Sequence, residues 1–497
     1  MNLDALLKDY PLKLPTYLIT GLACDSRHVL PGNLFFALSG IKTDGRNYID
    51  EAIKKGVLVI LQEGPLSIEK QNNILFICLP DINKQVGPIA SKFYDHPSHE
   101  MIVIGITGTN GKTSTCCLTA RVLEKLGYKV GVIGTLGMGE LAALNHSGMT
   151  TPDAITLQHQ FHKFKKSGMT AVVMEVSSHA LDQYRVDGIQ FDAAIFTNLT
   201  RDHLDYHHTM ENYAKAKRRL FNWPALKYAI INVDDKIGEA WINELSDQLS
   251  VCCYSLSRAF FSRHPRAGGD PIKIKKLFTQ NLQLDLSGIH ATLSGSFGKV
   301  EFHSELLGQF NVSNLLAVLS CLCMLGIPLD TAAKSLSECH GVRGRMQLVR
   351  EKNKPLAVIY YAHTPDALEQ VLITLRALPC KKIICVFGCG GDRDRGKRSL
   401  MAAIAEKYAD LIIVTSDNPR SEEPETIAKE IVQGFHDMSK VMLELDRARA
   451  IALALKQAQE GDIVFIAGKG HETTQTIQGV VYPFDDVEVV KDIFSEN

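Results

Sequence analysis

The run Thr107-Gly108-Thr109-Asn110-Gly111-Lys112-Thr113 joins a short apolar segment, Met101 to Ile106, to a stretch of helical periodicity from Thr113 to Leu126. A glycine-rich turn between a strand and a helix aims backbone N–H groups and the positive end of the helix at one point, which suits an anion. Lysine and threonine directly after the last glycine narrow that anion to a nucleoside triphosphate, with Lys112 on the outer phosphates and Thr113 on Mg²⁺. Gly108, Thr109, Asn110, Gly111, Lys112, Thr113 and Ser114 are therefore the candidate ATP contacts. The strict motif has a glycine five positions before Gly111, where this chain has Ile106, so the loop is a variant.

Two further segments end apolar runs with polar residues. Glu175 closes Ala171 to Val176, and a carboxylate at a strand's carboxyl end beside a nucleotide loop is well placed for Mg²⁺. Asn198-Leu199-Thr200-Arg201-Asp202-His203 follows another such run, and the company of Glu175 and Thr113 makes His203 a candidate metal ligand. The basic stretch Tyr213 to Phe221 reads by itself as a solvated helix face over an apolar stripe. Near the carboxyl end of the chain, Gly388 to Arg398 combines glycines with four cations, a composition suited to phosphate or carboxylate groups. Asp417-Asn418-Pro419-Arg420 and Gly468-Lys469-Gly470-His471-Glu472 follow the next strands. Three polar loops on one edge favour a small zwitterionic ligand.

These segments need a scaffold that brings strand ends together. At 497 residues the chain exceeds one hydrophobic core, and about 150 residues per domain points to roughly three domains. Residues 1–98 alternate short apolar runs with turns, giving a small mixed α/β domain that ends near Asp95-His96-Pro97-Ser98. Residues 99–339 alternate strands with helices, as in a doubly wound, P-loop ATPase-like domain. Residues 340–497 repeat that alternation as a Rossmann-like α/β domain, with strands at Leu356 to Tyr361, Ile383 to Phe387, Leu411 to Thr415 and Ile463 to Ala467. The apolar window Leu315 to Leu329 contains Gly326 and Pro328 and is too short to cross a membrane, so a buried helix is expected there. Residues 260–272 fit neither period and read as an exposed insertion.

A net charge of −1 gives no footing for nucleic acid. The twelve cysteines lack metal-ligand spacing and are expected to be reduced core thiols. The N-terminus has no signal-peptide pattern, so a cytoplasmic protein without a membrane partner is expected, and a monomer.

Taken together, these motifs resemble the Mur ligases of peptidoglycan synthesis over essentially the whole chain. The likeness is to the members that add the third residue of the stem peptide to UDP-N-acetylmuramoyl-L-alanyl-D-glutamate. The resemblance implies that Thr113 and Glu175 hold one Mg²⁺, and that Glu175, His203 and a carbamoylated Lys217 serve another. This reverses the solvated-face reading of the basic helix, because a carbamate supplies the hard oxygens an ammonium lacks. It further implies that Ser26 contacts the uridine end of the sugar nucleotide, and that Thr150, Thr151, Ser177, Gln183 and Arg185 lie along its muramoyl-peptide arm. Asn311, Asn314 and Arg345 match the family's adenine and phosphate contacts. Asp417, Asn418, Gly468 and Glu472 would surround the incoming amino acid. Members that use meso-diaminopimelate carry Asp-Asn-Pro-Arg, as at 417–420 here, and lysine-adding relatives lack that arginine. Arg420 and Arg393 would then pair with the second carboxylate, and lysine would leave them unpaired. One departure is Tyr360, which stands where the family usually has aspartate.

The expected chemistry is amide formation. ATP phosphorylates the D-glutamate side-chain carboxylate, and the amine displaces phosphate from the acyl phosphate, with Lys112 offsetting the charge that builds between the two anions. Domain closure would bring ATP and amino acid together. Rival readings are lysine addition, which Arg420 opposes, and folyl-glutamate synthesis, which the Ser26-containing domain opposes. A nucleotide switch is a third; the chain has no Asn-Lys-x-Asp guanine signature.

Overall fold

Successive residues of the apolar strands face opposite ways, and this period of two builds the layers of the molecule. The computed structural model describes residues 1–40, 43–145, 148–259, 261 and 274–496. Apart from Phe261, the insertion expected at 260–272 lies outside them. The chain divides into two compact units. The first is Met1–Leu277 with Gly295–Phe297 and Leu316–Pro328; the second is Phe278–Ser294, Gly298–Leu315 and Leu329–Asn497.

The first unit opens with a sheet of β1 (Gly21–Ala23), β2 (Asn33–Ala37), β3 (Val59–Glu63), β4 (Ser67–Gln71) and β5 (Ile74–Leu79), ordered β1-β2-β3-β5-β4. All pairings are parallel except that of β4 with β5. Leu34 and Phe36 enter one core with Leu3, Leu6 and Leu61, whereas Phe35 and Ala37 enter another with Val57 and Ile60. A register slip of one residue would exchange the two sets, and each buried side chain of this size contributes about 2 kcal/mol against that.

The same unit carries β6 (Ile102–Thr107), β7 (Val130–Gly134), β8 (Gly137–Glu140), β9 (Ala143–Asn145), β10 (Ala171–Glu175), β11 (Ala193–Phe196), β12 (Tyr228–Asn232) and β13 (Ser250–Ser255). Their order is β13-β12-β11-β6-β10-β7-β8-β9. The chain passes from β6 to β7, returns to insert β10 between them, and then places β11 on the far side of β6. The strand order thus reverses at β6, which opens a crevice at its carboxyl end. Pairing puts Glu175 opposite Ile106 and Phe196 opposite Thr107, so these strands stop level and their following loops leave from one edge.

The second unit holds β16 (Gly298–Ser304) and most of the two strands that precede it in the same sheet, β14 (Ile274–Asp285) and β15 (Gly288–Gly295). It also holds a sheet of β17 (Gln347–Val349), β18 (Leu356–Tyr360), β19 (Ile383–Phe387), β20 (Leu411–Val414), β21 (Val441–Leu443) and β22 (Ile463–Ala467), in the order β17-β18-β22-β19-β20-β21. Val358, Cys385 and Phe465 face one core, and Ile359, Ile384 and Val464 the other. Only β17 runs antiparallel, so the loops after β18, β19, β20 and β22 share an edge. A hairpin of β23 (Thr474–Ile477) and β24 (Val480–Pro483) follows, and then the helix Asp486–Glu496.

The helix expected at 315–329 runs over Gln309–Met324 and buries Leu315, Leu316, Val318, Leu319 and Leu322. Gly326, at φ +92°, and Pro328 end it before the helix Leu329–Ser337 begins. All twelve cysteines are free thiols, and burial pushes those of Cys252, Cys321 and Cys385 upward. Among the described residues no helix is long and apolar enough to cross a membrane.

Candidate active site

The loop after β6 is latched to the loop after β11. Thr109 N–H donates to the Asn198 carbonyl at 2.9 Å and Asn110 N–H to Asn198 Oδ1 at 2.9 Å, while the Asn110 carbonyl accepts from Thr197 Oγ1 at 2.7 Å. Gly108 sits at φ +152°, and a Cβ there would lie 1.8 Å from Thr197 Oγ1, so only glycine lets the two loops approach so closely. The helix Lys112–Lys125 starts directly after Gly111, with Thr113 and Ser114 in its first turn. Lys112 Nζ curls back to donate to the carbonyls of Gly108 at 2.9 Å and Thr109 at 2.8 Å.

Glu175 is 2% exposed. Its carboxylate accepts from Thr113 Oγ1 at 3.0 Å, Thr135 N–H at 2.8 Å and Thr135 Oγ1 at 3.2 Å. All three donors are neutral, and the carboxylate forms no ion pair among the described residues. A buried charge is costly unless it is paired or holds a metal. The hydroxyl of Thr113 and the oxygens of Glu175 are the hard donors Mg²⁺ takes, so these two residues fit that ion.

Lys217 lies in the helix Met210–Arg218 and is 1% exposed, which overturns the solvated-face reading of this basic segment. The helix turns Tyr213 and Lys217, one turn apart, to the same buried side. Lys217 Nζ donates to the Gly108 carbonyl at 2.7 Å and sits 4.4 Å from the centre of the Tyr213 ring. Burial, then the charge of Lys112, holds its amine well below the usual lysine range. Bare nitrogen is a poor Mg²⁺ ligand, and the amine fits that role only once a carbamate gives it oxygens. Tyr213 Oη lies 3.2 Å from Thr109 Oγ1, tying this helix to the phosphate loop.

His203 stands at φ +54° with Nε2 3.3 Å from Asp202 Oδ2, and its ring lies 4.8 Å from that of His179. Burial outweighs Asp202 and favours the neutral imidazole, which is the ligand form. His179 is pushed down to about 4 by burial and by His203 and His207. Thr113 and Glu175 are in direct contact, whereas His203 keeps company with Asp202, His179 and Tyr213. No group of three or more His, Cys, Asp or Glu side chains converges as a metal site among the described residues.

The residues expected along the sugar-nucleotide arm form a chain of contacts. Thr150 Oγ1 lies 3.1 Å from Thr135 Oγ1, and Thr151 Oγ1 donates to the Glu175 carbonyl at 2.9 Å. Ser177 caps the helix Ser178–Asp182 and gives its N–H to Thr151 Oγ1 at 3.1 Å. Gln183 Oε1 accepts from Arg185 Nε at 3.0 Å, and Arg185 Nη1 donates to the Thr151 carbonyl at 2.9 Å. Ser26, at the amino-terminal sheet, is buried and donates to Glu51 Oε2 at 2.8 Å.

In the second unit Asn311 Nδ2 donates to the Leu307 carbonyl at 2.8 Å, and Asn314 Nδ2 lies 3.3 Å from Asn311 Oδ1. The Arg345 guanidinium lies 5.2 Å from the centre of the Tyr361 ring, and its buried Nε has no hydrogen bond among the described residues. Tyr360 packs its ring against the sheet core, so no acid stands at that position.

The loop 388–398, whose composition suits phosphate or carboxylate groups, engages most of its cations within the fold. Arg398 is 0% exposed and pairs with Glu422 at 2.9 Å and Glu430 at 2.6 Å, while Arg395 reaches Glu422 at 3.0 Å. Lys397 Nζ donates to the His363 carbonyl at 2.8 Å. Three of the four hold the fold, because carboxylates from the helix Pro424–Val432 and the loop before it neutralise the arginines from below. Arg393 is exposed and forms no ion pair among the described residues. Arg420, at φ +55°, donates through Nη1 to the Gly391 carbonyl at 2.7 Å.

Asn418 Nδ2 donates to Glu472 Oε2 at 2.8 Å and lies 3.3 Å from Asp417 Oδ1. Gly468, at φ +119°, would place a Cβ 3.1 Å from Asp417 Oδ2. Each unit holds one group that sequence reasoning passed over. Thr135 follows β7 at the same edge as Glu175, and its position directly after a strand was the available signal. Lys469 is 0% exposed between Asn418 and Glu472, and nothing in Gly-Lys-Gly-His distinguishes it from a surface lysine.

Residues 106–322 match the Mur ligase middle domain, residues 344–470 the Mur ligase glutamate ligase domain, and residues 18–94 the catalytic domain of the Mur ligase family. The chain is 47% identical over 475 residues to a UDP-N-acetylmuramoyl-L-alanyl-D-glutamate–2,6-diaminopimelate ligase from Coxiella burnetii, covering 95% of each. A protein of the same description from Pseudomonas aeruginosa is 44% identical, with 95% of this chain and 94% of that one covered. A solved structure of a ligase so described superposes with a TM-score of 0.74 at 36% identity, covering 100% of this chain and 99% of the other.

Proposed function

Because this chain belongs to the Mur ligase family, we propose that it is the ATP-dependent ligase joining meso-diaminopimelate to UDP-N-acetylmuramoyl-L-alanyl-D-glutamate in peptidoglycan precursor synthesis. One observation carries the reading. At a strand-order reversal, the loop Gly108–Thr113 ends in a threonine that touches a buried carboxylate with neutral donors and no ion-pair partner among the described residues, and a triphosphate with its metal needs that pairing. The Asp417–Arg420 run supports the choice of amino acid. We assign residues 1–98 to the uridine end, 99–339 to ATP and 340–497 to the amino acid, in a monomeric cytoplasmic enzyme.

A carboxylate does not condense with an amine at neutral pH, because oxide is too poor a leaving group. A D-glutamate carboxylate oxygen attacks the γ-phosphorus of ATP, and the bond to the ADP oxygen breaks. Lys112 leaves the Gly108 and Thr109 carbonyls for the phosphates and offsets the charge between the two anions. Thr113 and Glu175 would hold one Mg²⁺, and Glu175, His203 and a carbamoylated Lys217 would serve a second; bound there, the metal would supply charge neutralisation at the transferring phosphate. The diaminopimelate nitrogen then attacks the acyl carbon, phosphate leaves with the C–O electron pair, and the nitrogen gives up a proton. We assign Asn311, Asn314 and Arg345 to the adenine and phosphates of ATP, and Tyr360 stands where the family usually has an acidic residue.

Phosphate release from ATP tests the reading, with the UDP-muramoyl dipeptide and a panel of amino acids. Diaminopimelate should drive release and lysine only weakly. Equal turnover with both would remove the specificity, and no amino-acid dependence would remove the ligase.

A further inference from the structure

Lys469 is 0% exposed, and its ammonium touches the side chains assigned above to the amino acid. Nζ lies 3.1 Å from Asn418 Oδ1, 3.2 Å from Glu472 Oε2 and 3.9 Å from Asp417 Oδ1. Behind it, Arg447 pairs with Asp486 at 2.7 Å with both side chains 0% exposed, and Arg447 Nη2 also donates to the Ala467 carbonyl at 3.0 Å. Three acidic groups, Asp417, Glu472 and Asp486, thus meet two cations, Arg447 and Lys469, so the acids exceed the cations by one, and burial pushes the Asp417 carboxyl up. The side chain of Glu472 is 31% exposed and is the accessible member of the cluster. Its Oε1 accepts no hydrogen bond among the described residues, since Asn418 and Lys469 both take Oε2.

We infer that Lys469 is a positioning residue for the incoming amino acid. It holds Asn418 and Glu472 in their receiving geometry and leaves the cluster short of one cation, which a single substrate ammonium supplies. The inference rests on the ligase reading above. Removing this ammonium leaves three carboxylates against one guanidinium in a largely buried place, where an unpaired charge is costly. The cluster would then take up a proton or a solvent cation instead of presenting one ordered acceptor. Lys469 reaches the substrate only through Asn418 and Glu472, so its loss is felt in amino-acid affinity.

Steady-state kinetics of the full-length protein test this. Lys469→Met keeps the length and removes the charge; the KM for diaminopimelate should rise at least tenfold, with the KM for ATP within twofold of wild type. In Lys469→Ala, added propylammonium should recover part of the lost affinity, and 1-propanol, of similar bulk but uncharged, should not. An unchanged amino-acid KM in Lys469→Met overturns the inference. So does equal rescue by the alcohol, which would reduce Lys469 to packing. Should Lys469→Met unfold below the assay temperature, the propylammonium comparison decides. Wild-type protein that releases no phosphate with diaminopimelate overturns the ligase reading itself; active wild type beside an unaffected variant overturns the role of Lys469 alone.

Discussion

Lys112 and Lys217 donate to the same oxygen, the Gly108 carbonyl, at 2.9 and 2.7 Å. Two ammonium groups on one carbonyl repel each other, and only Lys112 can swing away toward phosphate. Burial beside Tyr213, and then the charge of Lys112, hold the Lys217 amine well below the usual lysine range.

A neutral amine is the form that combines with CO₂. Enzyme stripped of CO₂ and bicarbonate should lose turnover by about tenfold or more and regain it when bicarbonate is returned. Lys217→Arg, which keeps its charge, should be nearly inactive and should not respond. Wild-type turnover indifferent to bicarbonate would leave Lys217 without its carbamate.

Lys112→Ala removes the side chain that meets charge developing on the transferred phosphoryl group. Turnover should fall by about 10²- to 10³-fold, the usual loss for one such donor. Rapid-quench measurement of acyl-phosphate formation would locate the loss in the first chemical step. Full turnover in this variant would refute the phosphoryl-transfer mechanism.

Arg420→Ala should cost diaminopimelate about 2 kcal/mol in kcat/KM, roughly thirtyfold, and cost lysine much less. Selectivity between the two amino acids is the measurement, and an unchanged ratio would free Arg420 of the role.

Arg398, Arg395 and the Asp392 N–H hold the Glu422 carboxyl down to about 2, from an ordinary value of 4.5. A depressed folded-state value stabilises fully above about 4.5, and the benefit is lost as pH falls toward 2. Urea unfolding of wild type and Glu422→Gln should therefore differ most at pH 6, approach each other as pH falls, and converge only near pH 2. A gap that stays constant over that range would mean the pair contributes nothing through its charge.

Much of this site was legible in residue types. Gly108 to Thr113 declares an anion loop, and strand periodicity places Glu175 and His203 at carboxyl ends. The alternation that assigns Val358 and Ile359 to opposite cores is equally visible. Partnerships between distant segments were not. Arg395 and Arg398 look like ligand-binding cations until Glu422 and Glu430 arrive from the next helix and the turn before it. Lys469 looks like a surface lysine until β22 carries it into the interior. Lys217 yielded to a family resemblance rather than to its own neighbours, because helical periodicity describes a face and not what lies against it.

Asp486 is the first residue of the last helix and the counter-ion of Arg447, whose guanidinium also grips the carbonyl just before Gly468. A protein trimmed before Asp486 would therefore strand a positive group in the interior and slacken the turn that receives the amino acid. Affinity tags belong behind this helix, and proteolysis there should silence amide synthesis.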